Sequence, residues 1–148
     1  MKTEIEDMYK LLVATHESID KMVADLSDPQ WTQKPREDFN NVAAVLHHVT
    51  MVEERFLAIL DGKEAAPSTF NPFAADHWDV PAIRAAFAAV PAHAREVLER
   101  LDPDTLEQHA VRLGIGELNR RQLLAYMIAH TTHHRGQIPL IKKLLPSA

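Results

Sequence analysis

Two histidines one turn apart, set inside an apolar helical stripe, constrain this chain more than any other feature. They lie in His130-Thr131-Thr132-His133-His134-Arg135-Gly136-Gln137. Around them Leu123, Met127, Ile138, Ile141 and Leu145 recur at helical spacing. At about 100° per residue, His130 and His134 share a face in the gap of that stripe, and His133 sits about 100° to one side. Two imidazoles therefore stand where a core would hold leucines. Burying a neutral imidazole without partners costs free energy. A shared metal ion is the simplest account of two neighbours; the alternative is a pair of core histidines hydrogen-bonded to other side chains.

The same helical period runs through the rest of the chain. A first helix over about 3–26 carries Ile5, Met8, Leu12, Ile19, Met22, Val23 and Leu26, with His16 on the same side, and stops at Ser27-Asp28-Pro29. A loop with Trp31, Pro35 and Phe39 follows, in which Trp31 reads as a lid over the bundle end. A second helix opens at Asn40-Asn41 and runs to about Leu60, ended by Asp61-Gly62. Residues 61–79 form a connection long enough to span a helix, so it can act as a crossover. His77 within it reads as a solvated loop residue. A third helix opens at Asp79 with Pro81 in its first turn and continues in phase across Pro91 to about Leu101. His93 falls off its stripe. A second connection, 102–118, has a turn at Gly114-Ile115-Gly116, and His109 there reads as a surface residue without a partner. The last helix begins at Asn119 with Gln122 as its capping-box partner, and Gly136 and Pro139 predict a bend before it ends near Leu145. No strand alternation competes. The fold class is all-α, one four-helix bundle over residues 1–148, in which the long connection would let the second and third helices lie parallel, joined by a crossover.

Composition narrows the chemistry. The net charge is −5 with no basic cluster, which argues against nucleic acid or an anionic membrane as partner. No apolar run approaches a membrane span, and the charged start, Met1 to Asp7, is not patterned as a signal peptide. There is no cysteine, so disulfides, thiolate metal sites and a cysteine nucleophile are excluded. A cytoplasmic location is the expectation.

A third imidazole is available on the second helix. His47 points away from the stripe of Val42, Val45, Leu46, Val49, Val52, Phe56 and Ile59, whereas His48 lies at the edge of the buried face. Glu53 lies on the opposite edge, either as a boundary residue paired to a lysine or arginine or in a supporting role at the site. Three neutral nitrogen ligands leave positions open for water or substrate, the pattern of catalytic metal sites. All-nitrogen ligation suits zinc, nickel, copper, cobalt and iron(II), and no acid at matching spacing favours magnesium or calcium.

The segment His130-x-x-His133-His134-Arg135-Gly136-Gln137-Ile138 resembles the C-terminal signature of the DinB / YfiT-like family of metal-binding four-helix bundles. Val45 to Phe56, with His48 five positions before Glu53, resembles that family's second-helix motif. The resemblance implies an up-down-down-up bundle, metal ligation by His48, His130 and His134, one zinc or nickel ion per chain, and a homodimer. It implies an activity within a family of thiol-dependent S-transferases, a thiol-dependent isomerase and metal hydrolases. The leading expectation is a metal-dependent S-transferase joining a low-molecular-weight thiol to a small-molecule electrophile. Gln137 and Tyr126, each one turn from a ligand, are candidates to orient substrate; Arg135 points away and suits a salt bridge or dimer contact. The alternatives are ester or amide hydrolysis, with Glu53 or His16 as general base, and a non-catalytic, stress-related metal-binding bundle. Trp31, Phe70, Phe73, His77 and Trp78 are candidates for the pocket mouth.

Overall fold

A computed structural model describes residues 3–146. Helix α1 spans Thr3–Val23, α2 Asp28–Thr32, α3 Val42–Leu60, α4 Val80–Arg100, α5 Arg120–Arg135 and α6 Gln137–Leu144. A hairpin of β1, His109–Leu113, and β2, Gly116–Asn119, precedes α5. The long helices α1, α3, α4 and α5 make a four-helix bundle. α3 packs on α4 and α5, and α1 packs on the same two, so α1 and α3 face each other diagonally.

Local chemistry sets the boundaries. The side chain of Asn41 accepts from the Ala44 N–H at 2.7 Å, and its amide donates to the Thr32 carbonyl at 2.9 Å. α3 stops at Asp61-Gly62, where Gly62 takes φ +77°. Asn119 and Gln122 form the expected capping box on α5. The helix is interrupted at Gly136, between α5 and α6, where Pro139 has no N–H to offer the Arg135 carbonyl. α4 continues through Pro91.

Three expectations need correction. The first helix ends at Val23, not Leu26. Lys142 Nζ donates to the Met22 carbonyl and Arg84 to that of Leu26, so tertiary donors satisfy carbonyls at and beyond the helix end. Ser27-Asp28-Pro29 does not merely stop α1 but starts α2, through a capping box with Gln30. That places Trp31 on a helix, 2% exposed within the core. The third correction is the hairpin. Val111 pairs with Leu118 and Arg112 with Glu117 around the Gly114-Ile115 turn, with Gly116 at φ +124°. Leu118 is buried, and Val111 and Leu113 pack on the same cluster, closing one end of the bundle. Strands this short carry too few alternations to read from sequence. His109 is exposed as expected but has a partner, Glu117 Oε2 at 2.6 Å.

The core has two apolar parts. One contains Leu12, Phe56, Leu98 and Met127; the other contains Ile19, Val49, Phe87 and Ile138. A polar layer lies between them in sequence on three helices: His16 on α1, Glu53 on α3 and Thr131 on α5. Asn41→Ala should lower unfolding free energy by about 2 kcal/mol, since it removes a cap and leaves the Thr32 carbonyl without its donor. Urea unfolding followed by circular dichroism measures this, and a loss under about 0.5 kcal/mol would contradict it.

Candidate metal centre

The break in the apolar face of α5 is where the site forms. His130 and His134, one turn apart, turn their rings toward α3, where His48 waits at the edge of the buried face. His48 Nε2 lies 3.1 Å from His130 Nε2, and His134 Nε2 lies 3.2 Å from the same atom. Among the described residues, His48, His130 and His134 form the group able to hold a metal ion, with all three ligand atoms within 4.8 Å of one another. Phe73, brought in by the 3-10 turn Pro72–Ala74, packs 4.8 Å from the His48 ring and 6.4 Å from that of His134.

The donor set fits a cation. Nitrogens about 2.0–2.1 Å from a common ion lie about 2.9 Å apart at right angles and about 3.4 Å apart at tetrahedral angles. The observed 3.1 and 3.2 Å fall between these limits. The proton count agrees. His134 Nδ1 lies 2.9 Å from Gln137 Oε1, which accepts, so Nδ1 carries the proton and Nε2 presents its lone pair inward. His130 Nε2 then faces two other ring nitrogens and can satisfy only one of them as a hydrogen-bond partner. A cation resolves the remaining contact.

Electrostatics keeps the imidazoles neutral. Burial pushes His48 down to about 4, with a further push from His134. His130 is also pushed down to about 4, by burial first and then by His134, His48 and His133. Burial lowers His134, with the Gln137 hydrogen bond acting against it and His133 adding to it. Neutral imidazole is the form that ligates a metal.

Residues 1–145 match the DinB family. The chain belongs to that family. No curated protein sequence matches it. Solved structures do share the DinB bundle. A conserved protein from Enterococcus faecalis superposes with TM-score 0.79 at 14% identity, covering 98% of both chains. A four-helix bundle protein gives 0.70 at 18% identity, covering 92% of this chain and 98% of its own. A DinB-like protein from Bacillus subtilis gives 0.69 at 17% identity, covering 95% and 96%. Likenesses this distant establish the fold.

Within this DinB bundle the other candidates separate. Gln137 is at the site, on His134. Tyr126 is half-buried, its ring 6.5 Å from His130 and 6.2 Å from Phe56, and its hydroxyl makes no hydrogen bond among the described residues. Glu53 is 0% exposed and, among the described residues, pairs with neither lysine nor arginine. Its Oε2 accepts from His16 Nε2 at 2.7 Å and from Thr131 Oγ1 at 3.1 Å. His16 stacks on Phe87 with centroids 4.2 Å apart. The two proposed general bases are thus partners of each other. Thr131 escaped the sequence reading, although its place four residues after Met127 was a usable signal. His133 is exposed, edge-on to His134 at 5.0 Å. His47 packs on Phe70 at 5.3 Å, and His93 bonds Glu54 at 2.7 Å. His77 is exposed. Arg135 bonds Ser18 Oγ at 2.8 Å. Of the expected mouth residues, Phe73 reaches the histidines and Phe70 the cleft beside His48. Trp78 donates to the Pro72 carbonyl at 3.0 Å, and Trp31 is core.

Two predictions follow from these protons. His48 and His130 ionise near 4 in the fold and near 6.5 when unfolded, so between those values the unfolded chain binds more protons. Metal-free protein should hold full stability above about pH 6.5, lose it as pH falls toward about 4, and show no further loss from these groups below that. Urea midpoints measured across this range test it, and a His48→Gln, His130→Gln variant should show a flatter profile. Gln137→Ala releases His134 from its orienting partner and should weaken zinc affinity about 10–100-fold, read by competition with a chromogenic chelator.

Proposed function

We propose that this DinB-family chain is a divalent-metal-dependent enzyme, a thiol-dependent S-transferase. The observation that carries the reading is the convergence of three Nε2 atoms beside an open cleft. His48 lines a cleft of about 660 Å³ between α3 and the connection that follows it, within the size range of small-molecule sites. His48, His130 and His134 would hold zinc or nickel, which when bound would supply Lewis acidity and favour thiolate over thiol. Gln137 fixes the tautomer of His134 and so the direction of its lone pair. Phe73 covers the histidines and limits water around them. The cleft walls hold a co-substrate next to His48, which converts a bimolecular encounter into a positioned one. The chain has no cysteine, so the thiol comes from outside.

The hydrolytic alternative draws less support. Glu53 and His16 are bonded to each other in the bundle interior, and neither lines the cleft. Assembly as a homodimer belongs to the same proposal, and sedimentation equilibrium reads it directly.

The test begins with metal content of untagged protein purified without a metal column. Near one equivalent per chain is expected, lost in His48→Ala and His134→Ala. Metal-loaded protein should then consume a thiol and an electrophile together, and both variants should fall to background. Ester cleavage without thiol, lost in His134→Ala, would replace the transferase with a hydrolase. Bound cobalt whose spectrum no thiol perturbs would leave a non-catalytic metal protein.

A further inference from the structure

The cleft beside His48 has a wall that neither the fold nor the metal centre requires. Arg55 lies on α3, two turns after His48, and lines this cleft. Its Nε donates to the Ala65 carbonyl at 3.1 Å, which ties the side chain to the connection forming the opposite wall. Its two Nη groups have no partner among the described residues. Arg36, Arg120 and Arg135 also lack a carboxylate partner among the described residues, but Arg55 is the arginine that lines this cleft. Arg84, Arg95, Arg100, Arg112 and Arg121 each lie within ion-pair distance of a carboxylate. Arg55 is half-buried and forms no such pair among the described residues. The acid in the cleft lining, Glu54, has its Oε2 taken by His93 Nδ1 at 2.7 Å. Met51, Val52, Pro67 and Phe70 supply apolar surface around the guanidinium. A planar fork with both outer nitrogens free, in an apolar cleft, is suited to bidentate capture of a carboxylate.

We infer that Arg55 anchors a carboxylate-bearing small molecule in this cleft, its apolar body against Val52 and Phe70 and its far end at His48. The inference rests on His48 belonging to the reactive site, and it names the substrate class of that site. The carboxylate belongs either to the thiol or to the electrophile. The Arg55 bond to Ala65 gives the residue a second role, since it holds the loop that forms the far wall, so ligand seating and loop position are coupled.

The experiment compares 3-phenylpropionate with 3-phenylpropanamide, an uncharged analogue of nearly the same shape, by calorimetry on metal-loaded protein. The acid should bind about tenfold or more tightly than the amide. Arg55→Gln should bring the ratio of acid to amide affinity to about one, whatever the loop does to both, and Arg55→Lys should retain part of the preference. The Lys variant, with thermal melting of both, separates loss of charge from loss of fold. Equal binding of acid and amide to the wild type would overturn the inference. A preference that survives Arg55→Gln but vanishes in His130→Ala would also overturn it, placing the carboxylate at the metal while leaving the metal reading intact. A preference that survives His130→Ala and is lost in Arg55→Gln upholds the Arg55 anchor even if the metal reading fails. The same pairing of 3-mercaptopropionate with 2-mercaptoethanol locates the source. An Arg55-dependent preference assigns the carboxylate to the thiol, and none assigns it to the electrophile.

Discussion

A carboxylate enclosed in the middle of a helical bundle is the constraint on which the other features depend. Glu53 is wholly buried, and accepts from His16 and Thr131. Those three residues sit on three different helices, and Phe87 from the fourth stacks on His16. Glu53 Oε1 has no partner among the described residues, so the two bonds to Oε2 are what offset the cost of burying the group, and they form only when the three helices share one register. Apolar packing above and below is tolerant of small shifts by comparison. One polar layer thus fixes the relative heights of α1, α3 and α5.

That registration carries over to the histidines. His130 is the neighbour of Thr131, and His48 precedes Glu53 on α3. When Thr131 bonds Glu53, the two helices are held at heights that let His48 meet His130 and His134. A slip of one turn is about 5.4 Å, larger than the 4.8 Å within which the three ligand atoms lie. Positioning of the metal centre is therefore a consequence of core chemistry. The loop side is less tightly specified: Phe73 and the cleft wall come from a connection anchored at its start by Arg55 on Ala65 and near its end by Trp78 on the Pro72 carbonyl.

The metal centre and the cleft divide the work. Burial pushes the imidazoles toward neutrality, the form able to ligate a cation, and Gln137 sets one ring's direction. The cleft supplies shape and, through Arg55, a charge. The histidine cluster rests on the helices, whereas the cleft rests on a connection, and a bundle with the same helices can carry different loops.

Helical period and cap chemistry are local, so they were legible in the chain. Asn41, Asn119 with Gln122, and the stop at Asp61-Gly62 all appear where side-chain and backbone preferences place them. The spacing of His130 and His134, and the choice of His48 over His47, also follow from one helix at a time, because a helical wheel assigns faces without knowing the neighbours. What only the tertiary structure decided involves two or more elements at once. The pairing of Glu53 with His16 joins residues on diagonal helices, and no periodicity encodes which partner a buried acid finds. The hairpin at 109–119 owes its strands to the apolar end it covers. The carbonyls of Met22 and Leu26, at and beyond the end of α1, find donors in Lys142 and Arg84, far along the chain. Nothing in the sequence singles out Arg55, and its free Nη groups at the cleft emerge only when the connection after α3 folds across it.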